Sequence, residues 1–220
     1  MGVQVKICGI NSPVTADAAV AAGADYVGLN FFVRSPRVVR PEQAGSLADR
    51  LRGRCRVVAL TVDAPDAELD VVVNACRPDL LQLHGRESPE RVAAVRQRFS
   101  LPVMKAIAMA DASDLAVVAA YERVADMLLF DAHAPSGNER PGGHGAAFDW
   151  QLLKGQKFSR PWLLAGGLTA ENVARAIRAC DAPGVDCSSG VETATGVKDA
   201  HLIRTFIAAA RAAQFAEAGA

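Results

Sequence analysis

Cys8 follows Lys6 by two residues, and both lie in the short apolar run Val3–Cys8. Side chains alternate along a strand, so the ammonium and the thiol would share one face. A nearby cation favours thiolate, the form that acts as base or nucleophile. The plainer reading of Cys8 is a small buried hydrophobe. Asp131 directly follows the apolar run Met127–Phe130. A carboxyl group there either transfers protons or opens a turn. His84 closes the run Leu80–His84, on the same face as Gln82, and Asp186 lies in Gly184–Ser188. Both are expected to touch substrate. Arg37 ends the segment Phe31-Phe32-Val33-Arg34-Ser35-Pro36-Arg37, which could cradle a flat anionic ligand. Its guanidinium can hold a carboxylate through two parallel N–H groups; a solvated basic loop is the ordinary alternative. Gly166 and Gly167 in one segment, and Ser189 and Gly190 in another, let backbone N–H groups approach an anion, which points to phosphate rather than to mere tight turns.

The elements that must position these groups alternate in kind. Strand-like runs span Val3–Cys8, Tyr26–Asn30, Arg56–Val62, Leu80–His84, Val103–Ala106, Met127–Asp131, Trp162–Ala165 and Gly184–Ser188. Helical spacing fills Pro13–Ala22, Pro41–Arg52, Asp66–Ala75, Ser88–Arg98, Ser113–Tyr121, Thr169–Ala179 and Asp199–Ala213, with a short piece at Asp149–Leu153. Regular alternation predicts a parallel sheet covered by helices. Eight units favour an α/β fold of one domain, a closed (β/α)8 TIM barrel; a doubly wound open sheet is the alternative and usually needs fewer units. In a barrel the ligand sits at the C-terminal strand ends, where the polar groups collect. The tail after about Ala213 is expected to fray.

The chain has 220 residues, 50% of them hydrophobic, and 24 Lys+Arg balance 24 Asp+Glu. That composition excludes a disordered chain, and neutrality argues against nucleic acid or an anionic membrane as the main partner. No apolar run is long enough to span a bilayer, and no secretory leader is visible. Five cysteines without a Cys-x-x-Cys pair suggest reduced thiols and a cytoplasmic setting. Cys55, Cys76 and Cys180 read as inert, and Cys187 as packed against a helix. The glycine-rich stretch Ala132–Phe148 is long enough to act as a lid and holds His133 and His144.

Lys6-Ile7-Cys8-Gly9-Ile10 resembles the opening signature of the phosphoribosylanthranilate isomerase family. Gly28–Arg37, Gln82-Leu83-His84-Gly85, Leu129–Asp131, Gly142-Gly143-His144-Gly145, Phe148-Asp149-Trp150, Gly166-Gly167-Leu168 and Asp186–Glu192 match further blocks in order. The resemblance implies the third step of the tryptophan branch, an Amadori rearrangement of N-(5'-phosphoribosyl)anthranilate that uses no metal or cofactor. It implies Cys8 as general base, Asp131 as general acid and Arg37 on the anthranilate carboxylate. The phosphate grip would come from the loops at Gly166–Gly167 and Ser189–Gly190. Thr61, Asp63, His144, Ala165 and Cys187 depart from the family's usual residues, and affect the pocket rim rather than the reaction. The implied partner is the small-molecule substrate, with a monomer or homodimer as the working unit. Other readings are a Schiff-base lyase with Lys105 as nucleophile, a metal-dependent epimerase and a phosphosugar sensor without turnover.

Overall fold

The computed structural model describes residues 2–132 and 148–213. Eight parallel strands close into a barrel in sequence order: β1 (Gln4–Cys8), β2 (Tyr26–Asn30), β3 (Arg56–Thr61), β4 (Leu80–Leu83), β5 (Val103–Met109), β6 (Met127–Ala132), β7 (Trp162–Leu164) and β8 (Gly184–Cys187). The closed barrel is the architecture expected from the alternation, and the open sheet is excluded. Helices α1 (Pro13–Ala21), α2 (Pro41–Leu51), α3 (Asp66–Cys76), α4 (Pro89–Phe99), α5 (Val118–Glu122), α6 (Val173–Cys180) and α7 (Ala200–Ala212) cover the outside. Local chemistry explains several starts. Ser12 and Ser88 accept N–H bonds in the first turns of α1 and α4, each with proline at the head of the helix. Asp199 caps α7 by accepting from the amides of His201 and Leu202.

Alternation within each strand makes two cores. Tyr26, Val58, Leu80, Met104, Leu129 and Leu163 fill the barrel interior. Val5, Ile7, Val57, Leu81, Val103, Leu128 and Val185 face outward and pack under the helices. Lys6, Cys8, Gln82, Asp131 and Asp186 therefore point inward, above the interior plug. At the opposite end, Asp25, Asp79 and Asp126 each accept the first free amide of a neighbouring strand, from Val5, Val57 and Val103. These bonds lock strand starts on the face that carries stability rather than chemistry.

Four details differ from the sequence reading. Strand β5 extends to Met109, because Ala108 and Met109 pair with Asp131 and Ala132 of β6. Helix α6 begins at Val173 rather than Thr169; a turn precedes it, in which the Asn172 side chain accepts from the Thr169 amide and donates to the Gly167 carbonyl. Residues 112–117 form a 3-10 helix before α5, headed by a capping box between Asp111 and Asp114. After β8 a small antiparallel hairpin, β9 (Glu192–Ala194) with β10 (Val197–Lys198), was not foreseen. The expected lid core, with His133 and His144, and the tail from residue 214 lie outside the described residues. None of the described helices is long and apolar enough to cross a membrane.

Candidate active site

Strand β1 brings Lys6 and Cys8 to the inner face, beside β8. Lys6 pairs in register with Asp186, and its Nζ donates to Asp186 Oδ1 at 2.9 Å. Lys6 is fully buried and Asp186 nearly so. Burial works against the lysine's charge, but the charge and hydrogen bond of Asp186 outweigh it, and the Lys6 value stands raised. On the other side of β1, Gly28 of β2 lies so near that a methyl group there would come within 2.9 Å of Cys8 Sγ and 3.4 Å of Lys6 Nζ. A glycine in β2 makes the room in which the thiol and the ammonium meet.

The expected effect of Lys6 on Cys8 needs correction. Burial raises the thiol above its ordinary value of 9.0, and the pull of Lys6 and Lys198 only partly offsets that. Desolvation outweighs the neighbouring cation, so the resting group is a thiol. The other four cysteines are also free. Cys55 is pushed up to about 11 and Cys76 and Cys180 to about 12, chiefly by burial. Cys187 packs outward and bonds the Leu168 carbonyl. The raised values of Cys55, Cys76 and Cys180 fit the expectation of inert thiols.

At the end of β6, Asp131 Oδ1 accepts the Ala132 amide at 2.9 Å and Oδ2 meets His84 Nε2 at 3.1 Å. His84 Nδ1 in turn meets the Gln82 amide nitrogen at 2.7 Å. Both ring nitrogens of His84 are engaged within the protein. Burial pushes the Asp186 carboxyl up, and the charge and hydrogen bond of Lys6 draw it partly back, with smaller effects from the charges of Asp131 and His84. One electrostatic unit thus joins the ends of β1, β8, β6 and β4.

Arg37 is buried, not solvated. It makes the expected bidentate grip, but on a carboxylate of its own chain: Nε donates to Glu192 Oε1 at 2.6 Å and Nη2 to Oε2 at 2.9 Å. Lys198 Nζ donates to the same Oε1 at 2.7 Å and to the Ser188 carbonyl at 2.7 Å. Burial opposes ionisation of Glu192, yet the hydrogen bonds and charges of Arg37 and Lys198 carry it down to about 2. Two cations thus meet one anion here, and the guanidinium shows no further side-chain partner among the described residues. Gly9 gives way to the Arg37 stem, where an added methyl would stand 2.7 Å from Cδ. Glu192 and Lys198 were missed as site residues. The only signal was their place in and just after the Asp186–Glu192 block. Phe31, Phe32 and Arg34 line a different feature, a cavity of about 270 Å³ beside Thr61 and Val72 of α3.

The two glycine loops meet. Gly166 and Gly167 adopt φ of +87° and +62°, conformations that side chains other than glycine resist. Gly190, in the single 3-10 turn Ser189–Val191, presses on the Leu168 carbonyl so closely that a methyl group would overlap it. Contact between loops, beyond anion access, thus explains this glycine.

Lys105 faces outward with Val103 and Ile107. Its three N–H bonds are spent on the carbonyls of Leu83 and Gly85, at 3.2 and 2.8 Å, and on Glu87 Oε2 at 3.0 Å. It ties down the loop after β4, away from the inner face, so Lys105 is not placed to be the nucleophile of the Schiff-base reading. No group of three or more His, Cys, Asp or Glu that could hold a metal ion occurs among the described residues.

Comparison with known proteins decides the family. The profile of N-(5'-phosphoribosyl)anthranilate (PRA) isomerase matches residues 5–209. The chain belongs to the phosphoribosylanthranilate isomerase family. It is 58% identical over 214 residues to the N-(5'-phosphoribosyl)anthranilate isomerase of Rhodopseudomonas palustris strain BisA53, covering 97% of this chain and 98% of that one. A similar isomerase from Mesorhizobium japonicum is 49% identical over 214 residues, with the same coverage of both chains. The crystal structure of the Thermotoga maritima isomerase superposes with a TM-score of 0.86 at 33% identity, covering 96% of this chain and 99% of that one. Another isomerase structure, at 32% identity and TM-score 0.83 with the same coverage, is a complex with reduced 1-(o-carboxyphenylamino)-1-deoxyribulose 5-phosphate. Family membership makes this chain an isomerase of tryptophan biosynthesis, with N-(5'-phosphoribosyl)anthranilate as substrate.

Proposed function

We propose that the Amadori rearrangement runs between Cys8 and Asp131, as base and acid, with the substrate's two anionic ends held at Arg37 and at the glycine loops. The observation that carries this reading is the inward-facing thiol and carboxyl at the ends of β1 and β6, coupled through Lys6 and Asp186. Asp131 gives its proton to the ribose ring oxygen, and the nitrogen lone pair opens the ring to a protonated Schiff base. Cys8, as thiolate, then takes the C2' hydrogen. The resulting enolamine loses its C2' hydroxyl proton and gains one at C1', giving the ketone with no net change in protons. Burial disfavours the thiolate at rest, so Cys8 sheds its thiol proton to solvent as the iminium cation forms and joins Lys6 and Lys198 in stabilising the thiolate; the C2' hydrogen restores the thiol, and solvent returns a proton to Asp131.

The outer edge of Arg37, braced from behind by Glu192, receives the anthranilate carboxylate. The amides around Gly166, Gly167, Ser189 and Gly190 receive the phosphate. Asp186 keeps one oxygen on Lys6 and offers the other to a sugar hydroxyl. With both ends fixed, acid and base attack the sugar in one register. The enzyme works in the cytoplasm, where its free thiols stay reduced, as a monomer or homodimer.

The test is a fluorescence assay of phosphoribosylanthranilate consumption. Cys8→Ala and Asp131→Asn should each lower kcat by about 10²–10⁴-fold with the fold intact by circular dichroism. Near-normal turnover in either removes that assignment. Arg37→Lys keeps the charge but loses the fork, and should raise KM; an unchanged KM refutes the carboxylate grip.

A further inference from the structure

We infer that Gln82 and His84 form a positioning relay that aims the Asp131 carboxyl and receives the charge left on it after proton transfer. The inference rests on Asp131 being the acid, as proposed above. Gln82 is completely buried in the barrel interior, in register with Leu60 and Met104 of the neighbouring strands. An amide there costs free energy that an apolar side chain of like size would not. Its Oε1 finds no partner among the described residues, and its Nε2 has one, His84 Nδ1 at 2.7 Å. Packing gives no reason for such a residue; alignment of the imidazole does.

The direction of the relay follows from donor counting. The Gln82 amide nitrogen can only donate, so Nδ1 is an acceptor and the ring proton sits on Nε2. Nε2–H then donates to Asp131 Oδ2 at 3.1 Å, while the Ala132 amide donates to Oδ1 at 2.9 Å. Each carboxyl oxygen has one fixed donor before any substrate arrives. When the proton leaves for the ring oxygen, the new carboxylate forms between dipoles already aligned to it, in a site poor in water. His84 touches Asp131 and Gln82, so it acts on the reaction through Asp131.

Two measurements test the relay. Gln82→Met and His84→Gln are each made alone and in the Asp131→Asn background. Alone, each should lower kcat about tenfold and leave KM within about twofold; in Asp131→Asn, the further loss should stay below about twofold, because residues acting as a unit are not additive. Equal losses in both backgrounds overturn the relay and leave the acid assignment standing. A raised KM with unchanged kcat overturns it too, in favour of direct sugar contact. Full turnover in Asp131→Asn alone overturns the acid assignment, and the relay with it. In ¹⁵N-histidine-labelled enzyme, the His84 signals, identified by their loss in His84→Gln, should show Nε2 protonated and Nδ1 bare. The reverse pattern contradicts the donor count. Thermal melts of both variants verify the fold, and either variant suffices if the other does not fold.

Discussion

Glu192 links stability to pH in a way that can be worked from its surroundings. Its carboxylate is 4% exposed and bridges Arg37 and Lys198, which hold it at about 2 against an ordinary 4.5. The group's folded value is depressed, so its contribution to stability is complete above about pH 4.5 and disappears as the pH falls through about 2. A drop of about 2.5 pH units at ~1.4 kcal/mol each gives ~3 kcal/mol. Glu192→Gln removes this contribution and leaves two buried cations without their anion. Urea unfolding of both proteins between pH 7 and pH 2.5 is the assay. The wild type should be the more stable at pH 7, and the gap between the two should narrow by up to ~3 kcal/mol on acidification. Other carboxylates titrate alike in both proteins and cancel in the difference. Curves that stay parallel over that range would refute the reasoning, because the ion triad would then contribute nothing that depends on the charge of residue 192.

Three further outcomes follow from single contacts. Gly190→Ala puts a methyl group into the Leu168 carbonyl and must part the two glycine loops; inhibition by inorganic phosphate should weaken about tenfold or more, since small displacements in a site are costly, and an unchanged inhibition constant removes these loops from the anion site. Thr61 is buried with an unpartnered hydroxyl; Thr61→Val should raise stability by ~1 kcal/mol and Tm by about 2–4 °C, whereas a lower Tm would reveal a hidden role for the hydroxyl. Alkylation of Cys8 by iodoacetamide, followed by mass spectrometry, should still be accelerating at pH 9, because burial holds the thiol above 9.0; a rate already level by pH 8 would mean that Lys6 wins over desolvation.

The eight strands were legible because each is a short apolar run between helices whose spacing, caps and prolines are local properties. So were the chemical types at the strand ends, since polar groups recur where apolar runs stop. Strand β5 was read too short because its last residues gain their extended form by pairing with β6, not from their own preference. Hairpin β9–β10 was missed because its strands are short, and its pairing, not composition, defines it. Position and residue type made Cys8, Asp131 and Arg37 candidates for base or nucleophile, proton donor and carboxylate grip, and the resemblance to a family narrowed them to the roles proposed above.

What the sequence determined by itself was the barrel and the kinds of group at its mouth, because period, capping and turn chemistry act between near neighbours. What only the tertiary structure decided was who meets whom. Lys6 finds Asp186 across 180 residues and Arg37 finds Glu192 across 155. Those pairings depend on closure of the barrel, which sets β8 beside β1. The same holds for the state of Cys8. A lysine two residues away argues for thiolate, but exclusion of water, which three-dimensional packing alone creates, outweighs it.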